Sequence, residues 1–356
     1  MISVGDDAQV KATGEQGKVT VTNGHAHRVC NKWYLTEELS IQVTASSPAH
    51  REENTSSPRS SGQITAAEVK ALWENGYVIV NGFLGERKAA ALRAEALELA
   101  ETGRMPAHRF QFGASQFTKP HIFEVDLHDE ALRESLPEFA DLFFEDALVE
   151  SISCRLPELA LAHGPPAKTV KLQHNRGGGG CFPWHYDNAG KPSKRVVTCV
   201  AYLNPDWQEG DGGELVLQPF LQPQVVCQPV MDRAVLFLSD RVLHRVLPAR
   251  AERLCFTIWL DGACVNSAAD CNLTTKHLAL MERSATLESF ARSPVQRAVS
   301  RAVYAEEYEA SLQECMEGAI GCREMLADHR AHVERQEAHP QLGPFVRRLR
   351  ELKGCL

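Results

Sequence analysis

The sequence predicts an α+β fold: a double-stranded β-helix, the jelly roll of cupin-like proteins, with flanking helices and a C-terminal helical extension. Two observations carry this. From Ala167 to Gly262 the chain passes through eight short β-type runs, TVKLQHN, CFPWHYDN, RVVTCVAYLN, ELVLQPF, QVVCQPV, RAVLFLS, VLHRVLP and RLCFTIWL. Turns separate them, which is the texture of a double-sheet antiparallel barrel. On either side of this stretch the apolar residues recur at helical spacing instead.

The elements follow in chain order. Residues 1–62 read as a largely disordered segment, although Gly17–Thr22 alternates like a short strand. The stretch 46–63 is rich in Ser, Pro and charge and reads as a linker. His25 and His27 could share a metal from one strand face, but hydrated surface histidines are the reading preferred for them. Residues 63–166 read as a helical and strand support region. Thr65-Ala-Ala-Glu68 fits a capping box that opens a helix, and Gly76 ends it. Gly76–Gly85 reads as a buried strand and a turn. The Ala- and Leu-rich stretch 86–103 is a strong helix closed by Gly103. Residues 109–129 mix strand and loop, and 131–156 make one or two amphipathic helices. Residues 167–262 are the jelly-roll core, with a tight turn at Gly210–Gly213 and a longer loop at Asn188–Pro192. Residues 263–356 are the helical extension. Pro294 sits where a first-turn proline is tolerated, and FVRRLRELK forms a short basic helix whose arginines a solvated face explains. This extension either packs on the barrel or mediates oligomerisation.

Composition narrows the function classes. A hydrophobic content of 44% is ordinary for a globular chain. A net charge of −8 gives no general attraction to nucleic acid or to an anionic membrane. No apolar run approaches membrane-span length, and no secretory signal is visible. The cysteine count, 11, is odd, and no Cys-x-x-Cys pair occurs, so the sequence shows neither a disulfide framework nor a zinc ribbon. The expectation is an intracellular protein, cytoplasmic or nuclear, with reduced thiols.

The chemistry centres on Trp184-His185-Tyr186-Asp187-Asn188. Side chains at i and i+2 of a strand share a face, so His185 and Asp187 can lean onto one ion. The spacing alone is weak: four His-x-acid pairs occur, at His50, His128, His185 and His332, where 14 histidines and 46 acids predict about two. A third ligand from a late, facing strand would complete a 2-His-1-carboxylate set with open positions. His244 is the histidine in that part of the barrel, its alternative being a core histidine satisfied by hydrogen bonds. A 2-oxoacid cosubstrate needs a buried cation for its distal carboxylate, and Arg253, at the start of the last run, suits that role. Tyr202 and Thr257 are polar handles facing the same cavity, or half-buried strand residues.

These segments together resemble the catalytic core of the Fe(II)/2-oxoglutarate dioxygenases. The resemblance rests on His185-Tyr-Asp187-Asn, RVVTCVAYLN, Asp211-Gly-Gly-Glu-Leu215, Asp232 to Asp240, His244-Arg-Val-Leu-Pro248 and Arg253-x-x-x-Thr257-Ile-Trp259. It is similar in particular to the prolyl 4-hydroxylase group and its HIF-type prolyl hydroxylases, over roughly 64–262 and most densely 168–262. The resemblance implies Fe(II) on His185, Asp187 and His244. It implies O2 as oxidant and 2-oxoglutarate with its far carboxylate on Arg253 and Tyr202, with Thr257 near by. It also implies ascorbate re-reducing the iron. Where relatives carry a tyrosine at the end of the first barrel strand, this chain has Gln173-His174-Asn175. His174 takes that tyrosine's place beside the cosubstrate, or is a further iron-proximal group, or is a loop residue. Gly177–Gly180 would then form a mobile lip over the site. Asp187, where Gly or Ala would open a halide position, favours hydroxylation over halogenation.

The resemblance thus implies hydroxylation of a prolyl residue in a protein, with succinate and CO2 as co-products. Two other readings stand beside it: oxidation of a free amino acid or other small metabolite, and a non-catalytic jelly-roll metal-binding module. The ligands alone also suit zinc.

Overall fold

The computed structural model describes residues 7–10, 16–22, 26–29, 32–35, 39–41, 61–112, 115–264, 273–274, 278, 284–319 and 321–354. The chain divides into two units, Met1–Ser57 and Pro58–Leu356. In the first, β1 (Asp7–Val10), β2 (Gln16–Thr22), β3 (Ala26–Val29), β4 (Lys32–Leu35) and β5 (Leu39–Ile41) pair antiparallel in the order β4-β3-β2-β1-β5. The strand expected at Gly17–Thr22 is β2. His25 and most of the 46–63 stretch lie outside the described residues.

The second unit begins at α1 (Ala66–Asn75). Its capping box is present: the Glu68 amide donates to Thr65 Oγ1 and the Thr65 amide to Glu68 Oε2, at 3.3 and 2.7 Å. Gly76 ends it at φ 83°, a left-handed conformation that glycine adopts without a Cβ penalty. β6 (Tyr77–Asn81) and α2 (Glu86–Glu101) follow, then a hairpin of β7 (Ala107–Phe112) and β8 (Ser115–Asp126). Where one or two helices were expected, three form: α3 (Glu130–Glu134), α4 (Pro137–Phe144) and α5 (Ala147–Ser153). Pro137 can start a helix but not continue one, so it divides the stretch.

All eight runs of the expected barrel are strands: β9 (Lys168–Asn175), β10 (Gly180–His185), β11 (Arg195–Tyr202), β12 (Leu215–Gln218), β13 (Val225–Cys227), β14 (Arg233–Leu238), β15 (Leu243–Ala249) and β16 (Arg253–Asp261). They build two antiparallel sheets. One holds seven strands, β6-β14-β11-β16-β9-β8-β7, and the other four, β10-β15-β12-β13. The larger sheet borrows β6 and the β7–β8 hairpin from the support region. The chain ends in α6 (Ser284–Ala291), α7 (Arg297–Val303), α8 (Ala305–Met316), α9 (Cys322–Ala338) and α10 (Leu342–Gly354).

Strand alternation sorts the side chains into layers. On β16, Leu254, Phe256, Ile258 and Leu260 join the core packed with α1, α2, α4 and α5, while Arg253, Cys255, Thr257 and Trp259 turn into the barrel. Val200 and Tyr202 of β11, with Leu215 and Leu217 of β12, fill the space between the sheets. On the outer side of the smaller sheet, Trp184, Val216 and Leu243 pack with Val299, Tyr304, Tyr308 and Phe345. Of the two expectations for the extension, packing on the barrel is therefore what its helices do. Cys181 of β10 and Cys315 of α8 are joined as a disulfide with Cα atoms 5.4 Å apart, so the expectation of wholly reduced thiols is not met. The two are 134 residues apart in sequence, and only the tertiary fold brings them together. Among the described residues no helix is long and apolar enough to cross a membrane.

Candidate active site

β10 and β15 are antiparallel neighbours, and their register puts His185 directly opposite His244. The two rings lie 4.2 Å apart, centroid to centroid. His185 Nδ1 donates to the Pro183 carbonyl at 2.8 Å and His244 Nδ1 to that of Val242 at 3.2 Å. A carbonyl can only accept, so each ring carries its proton on Nδ1 and offers the Nε2 lone pair inward. Asp187 follows β10, and its Oδ1 is 3.6 Å from both Nε2 atoms. Its other oxygen, Oδ2, is occupied: Thr198 Oγ1 donates to it at 2.7 Å and Trp259 Nε1 at 2.8 Å. Thr198 and Trp259 face each other across β11 and β16, so one strand pair holds the carboxylate by one edge. The result is two imidazole nitrogens and one carboxylate oxygen within 4.8 Å of one another, a group that could hold a metal ion.

The electrostatics suit that use. Burial alone would raise the Asp187 carboxyl, but the His244 and His185 rings and the Trp259 indole outweigh it and hold the carboxyl far below the usual range. Burial, and then the neighbouring His185, push the His244 imidazole down to about 4. Both groups are thus in the form a metal binds, an anion and a neutral ring.

The triad opens into a cavity of about 480 Å³ that Gln173, Arg253, Cys255, Thr257 and Trp259 also line. Arg253 is 2% exposed. Its Nη1 donates to Gln173 Oε1 at 3.3 Å and to Cys255 Sγ at 3.1 Å. Its Nε has no hydrogen-bond partner, and neither does the buried Tyr202 Oη, although the guanidinium lies 5.1 Å from the Tyr202 ring centre. Among the described residues no carboxylate lies within 4 Å of the guanidinium. A buried arginine without an anion costs several kcal/mol. Tyr202, expected to face the cavity, is fully buried behind Arg253 and does not line it. The buried Arg253 and the three metal-binding atoms, which share the cavity, fit a ligand that chelates a metal and carries a second carboxylate.

His174 does not join this group. On β9 it alternates with Lys171 and Gln173, which face the cavity, and so points the other way. Its Nε2 meets Glu252 Oε1 at 2.8 Å, and the ring packs against Phe123. The β9 residue beside Arg253 in the cavity is Gln173. Nor does the glycine run cover the site. None of Gly177–Gly180 lines the cavity, and a Cβ on Gly177 would come within 2.6 Å of the Arg250 carbonyl oxygen. Backbone packs on backbone at Gly177, and Gly177, Gly178 and Gly179 all have positive φ, which glycine adopts without a Cβ penalty.

A family model described as the 2OG-Fe(II) oxygenase superfamily matches residues 170–261. A solved structure of the prolyl 4-hydroxylases from Phytophthora capsici is 45% identical, with a TM-score of 0.72, and the match covers 83% of this chain and 94% of that one. The chain belongs to the 2OG-Fe(II) oxygenase superfamily. Human prolyl hydroxylase EGLN3 is 35% identical over 202 residues, 55% of this oxygenase and 82% of EGLN3. Human Egl nine homolog 1 is 40% identical over 199 residues, 55% of this chain and 46% of that protein. The oxygenase chain spans about half the length of the Egl nine homolog 1 proteins it matches: 46% of the human, 49% of the mouse and 58% of the rat protein.

Sequence reasoning missed several lining residues. Trp259 and Cys255 share the parity of Arg253 and Thr257 along β16, and that alternation was the available signal. Arg301 of α7, Leu312 and Met316 of α8 and Met325 of α9 also line the cavity. Nothing local marks them, because only the packing of the extension brings them there.

Proposed function

We propose that this chain is an Fe(II)- and 2-oxoglutarate-dependent dioxygenase that hydroxylates a prolyl residue of a protein or peptide. The observation that carries the reading is the pairing of the His185–Asp187–His244 group with the anion-less, buried Arg253 in one cavity. The donor set alone would serve zinc equally; the buried Arg253 favours a metal that works with a dicarboxylate.

In this reading His185, Asp187 and His244 hold the iron, and Arg253, with Tyr202 behind it, takes the far carboxylate of 2-oxoglutarate, with Thr257 and Gln173 beside it. Iron with 2-oxoglutarate and O2 supplies the oxidising power for converting C–H to C–OH, leaving succinate and CO2. The chain's own work is positioning. The Nδ1 bonds fix the two imidazoles, Thr198 and Trp259 leave a single Asp187 oxygen free, and the apolar wall of Leu215, Val246 and Met316 keeps water from the reacting carbon. Ascorbate restores the ferrous state after unproductive turnover, and an intracellular setting supplies the cosubstrate.

The test is anaerobic reconstitution with Fe(II), then 2-oxoglutarate and O2, with succinate measured. Turnover that Asp187→Ala and Arg253→Ala both suppress supports the reading, and succinate undiminished by Asp187→Ala refutes it. The second reading, a free amino acid or small metabolite, draws on the helical wall that closes one side of a cavity of ligand size, about 480 Å³. Proteome-wide +16 Da prolyl peptides would decide for a protein substrate; their absence, with turnover of free proline, would decide for the small one.

A further inference from the structure

The chain carries a net charge of −8, yet five lysines and arginines line the cavity against two carboxylates, Glu124 and Asp187. Four of the five have an evident role. Arg253 awaits the cosubstrate. Lys171 Nζ pairs with Glu124 at 3.0 Å, Arg301 pairs with Asp328 at 3.2 Å, and Arg195 lies 4.3 Å over the Trp259 ring. The fifth is Lys119 of β8.

Lys119 is 7% exposed. Its Nζ sits 3.5 Å from the centre of the Phe182 ring and donates one hydrogen bond, 3.5 Å long, to the Cys181 carbonyl. An ammonium has three donors, so two are left for the cavity. Among the described residues no carboxylate lies within 4 Å of it. Glu124, whose charge reaches it, is already shared by His108 at 2.8 Å and Lys171 at 3.0 Å. Burial without a counter-ion pushes this amine down to about 7. A cation kept in so costly a place, over an aromatic face and at a cavity wall, has the makings of an anion subsite.

We infer that Lys119 receives a carboxylate of the substrate: an aspartate or glutamate side chain near the hydroxylated proline. This rests on the prolyl-hydroxylase reading. The Phe182 ring lies 6.2 Å from the His185 ring, so the ammonium is within roughly 10 Å of an iron-binding imidazole. An extended peptide advances about 3.3 Å per residue, which places the acid within about three residues of the proline.

The test is equilibrium binding to the full chain loaded anaerobically with Fe(II) and 2-oxoglutarate, so that no turnover is needed. The probes are proline peptides with Glu at each of three positions on either side, each matched to its Gln isostere. The expected result is one position where Glu binds roughly tenfold to a hundredfold tighter than Gln, as a charge-assisted hydrogen bond to a buried cation gives. Lys119→Gln should remove that preference, and Lys119→Arg should retain most of it. Unchanged 2-oxoglutarate affinity in both variants shows that the barrel is intact. Equal binding of every Glu and Gln pair by the unaltered chain overturns the inference, whatever the variants do. So does a Glu preference that survives Lys119→Gln in a folded protein. The hydroxylase reading fails separately, if a tightly bound Glu peptide gains no +16 Da when O2 is admitted.

Discussion

The segment from Phe182 to Asn188 has two faces, and they do different work. Phe182, Pro183, His185 and Asp187 face the cavity. Trp184, Tyr186 and Asn188 face the helices: the Trp184 amide donates to Ser311 Oγ at 3.2 Å, and Tyr186 Oη lies 2.9 Å from both Gln296 Oε1 and Ser300 Oγ. Arg297 Nη1 donates to the Asn188 carbonyl. One face carries the atoms that would bind a metal, with Asp187 Oδ1 left to the site by the donors on Oδ2. The other carries groups tied to the helical extension by the Trp184 amide, the Tyr186 hydroxyl and the Asn188 carbonyl. The difference teaches that the helical extension braces the strand that holds the metal ligands, so a substitution on one face should cost chemistry and on the other stability.

Substitutions can break that division, and the largest effect should come from the cavity face. Asp187→Ala should lower 2-oxoglutarate turnover, read as succinate formed, by roughly three orders of magnitude or more. Arg253→Ala should raise the KM for 2-oxoglutarate by roughly a hundredfold, because it removes a buried charge partner. Trp259→Phe removes one of the two donors that hold Asp187 Oδ2. Iron affinity measured by chelator competition should then fall by roughly ten- to a hundredfold.

Lys119→Met tests the cavity wall through stability. The folded value of Lys119, about 7, lies below its ordinary 10.5. The unfolded chain therefore binds more protons between those values, and stability rises with pH there. The burial cost is fully present below about pH 7 and fades toward pH 10.5. Lys119→Met should stabilise the fold by up to about 5 kcal/mol below pH 7 and by progressively less above it, as denaturant unfolding across pH would read. Tyr186→Phe, on the helix face, should destabilise by about 1 kcal/mol and leave the KM for 2-oxoglutarate unchanged.

Much of this was legible because strand alternation is local. The eight β runs, the His185/Asp187 pair and the inward Arg253 all follow from period-2 patterning and the chemistry of a buried cation. The same rule, applied to β9 from Gln173, would have turned His174 outward; the resemblance to a tyrosine position pulled the expectation the other way. The oriented state of Asp187 was not legible, since Thr198 and Trp259 meet only through cross-strand register. Least legible was the wall from α7, α8 and α9. Their sequences show ordinary amphipathic helices with interleaved charge, and nothing in such a pattern says which surface they will cover. The disulfide between Cys181 and Cys315 belongs to the same class of contact.

The most direct test is anomalous diffraction at the iron edge from crystals of the full chain grown anaerobically with Fe(II) and 2-oxoglutarate. The account predicts one iron peak bound by His185 Nε2, His244 Nε2 and Asp187 Oδ1, with the distal carboxylate of the cosubstrate on Arg253. Iron at any other set of side chains, or a distal carboxylate that leaves the Arg253 guanidinium without an anion, would contradict it.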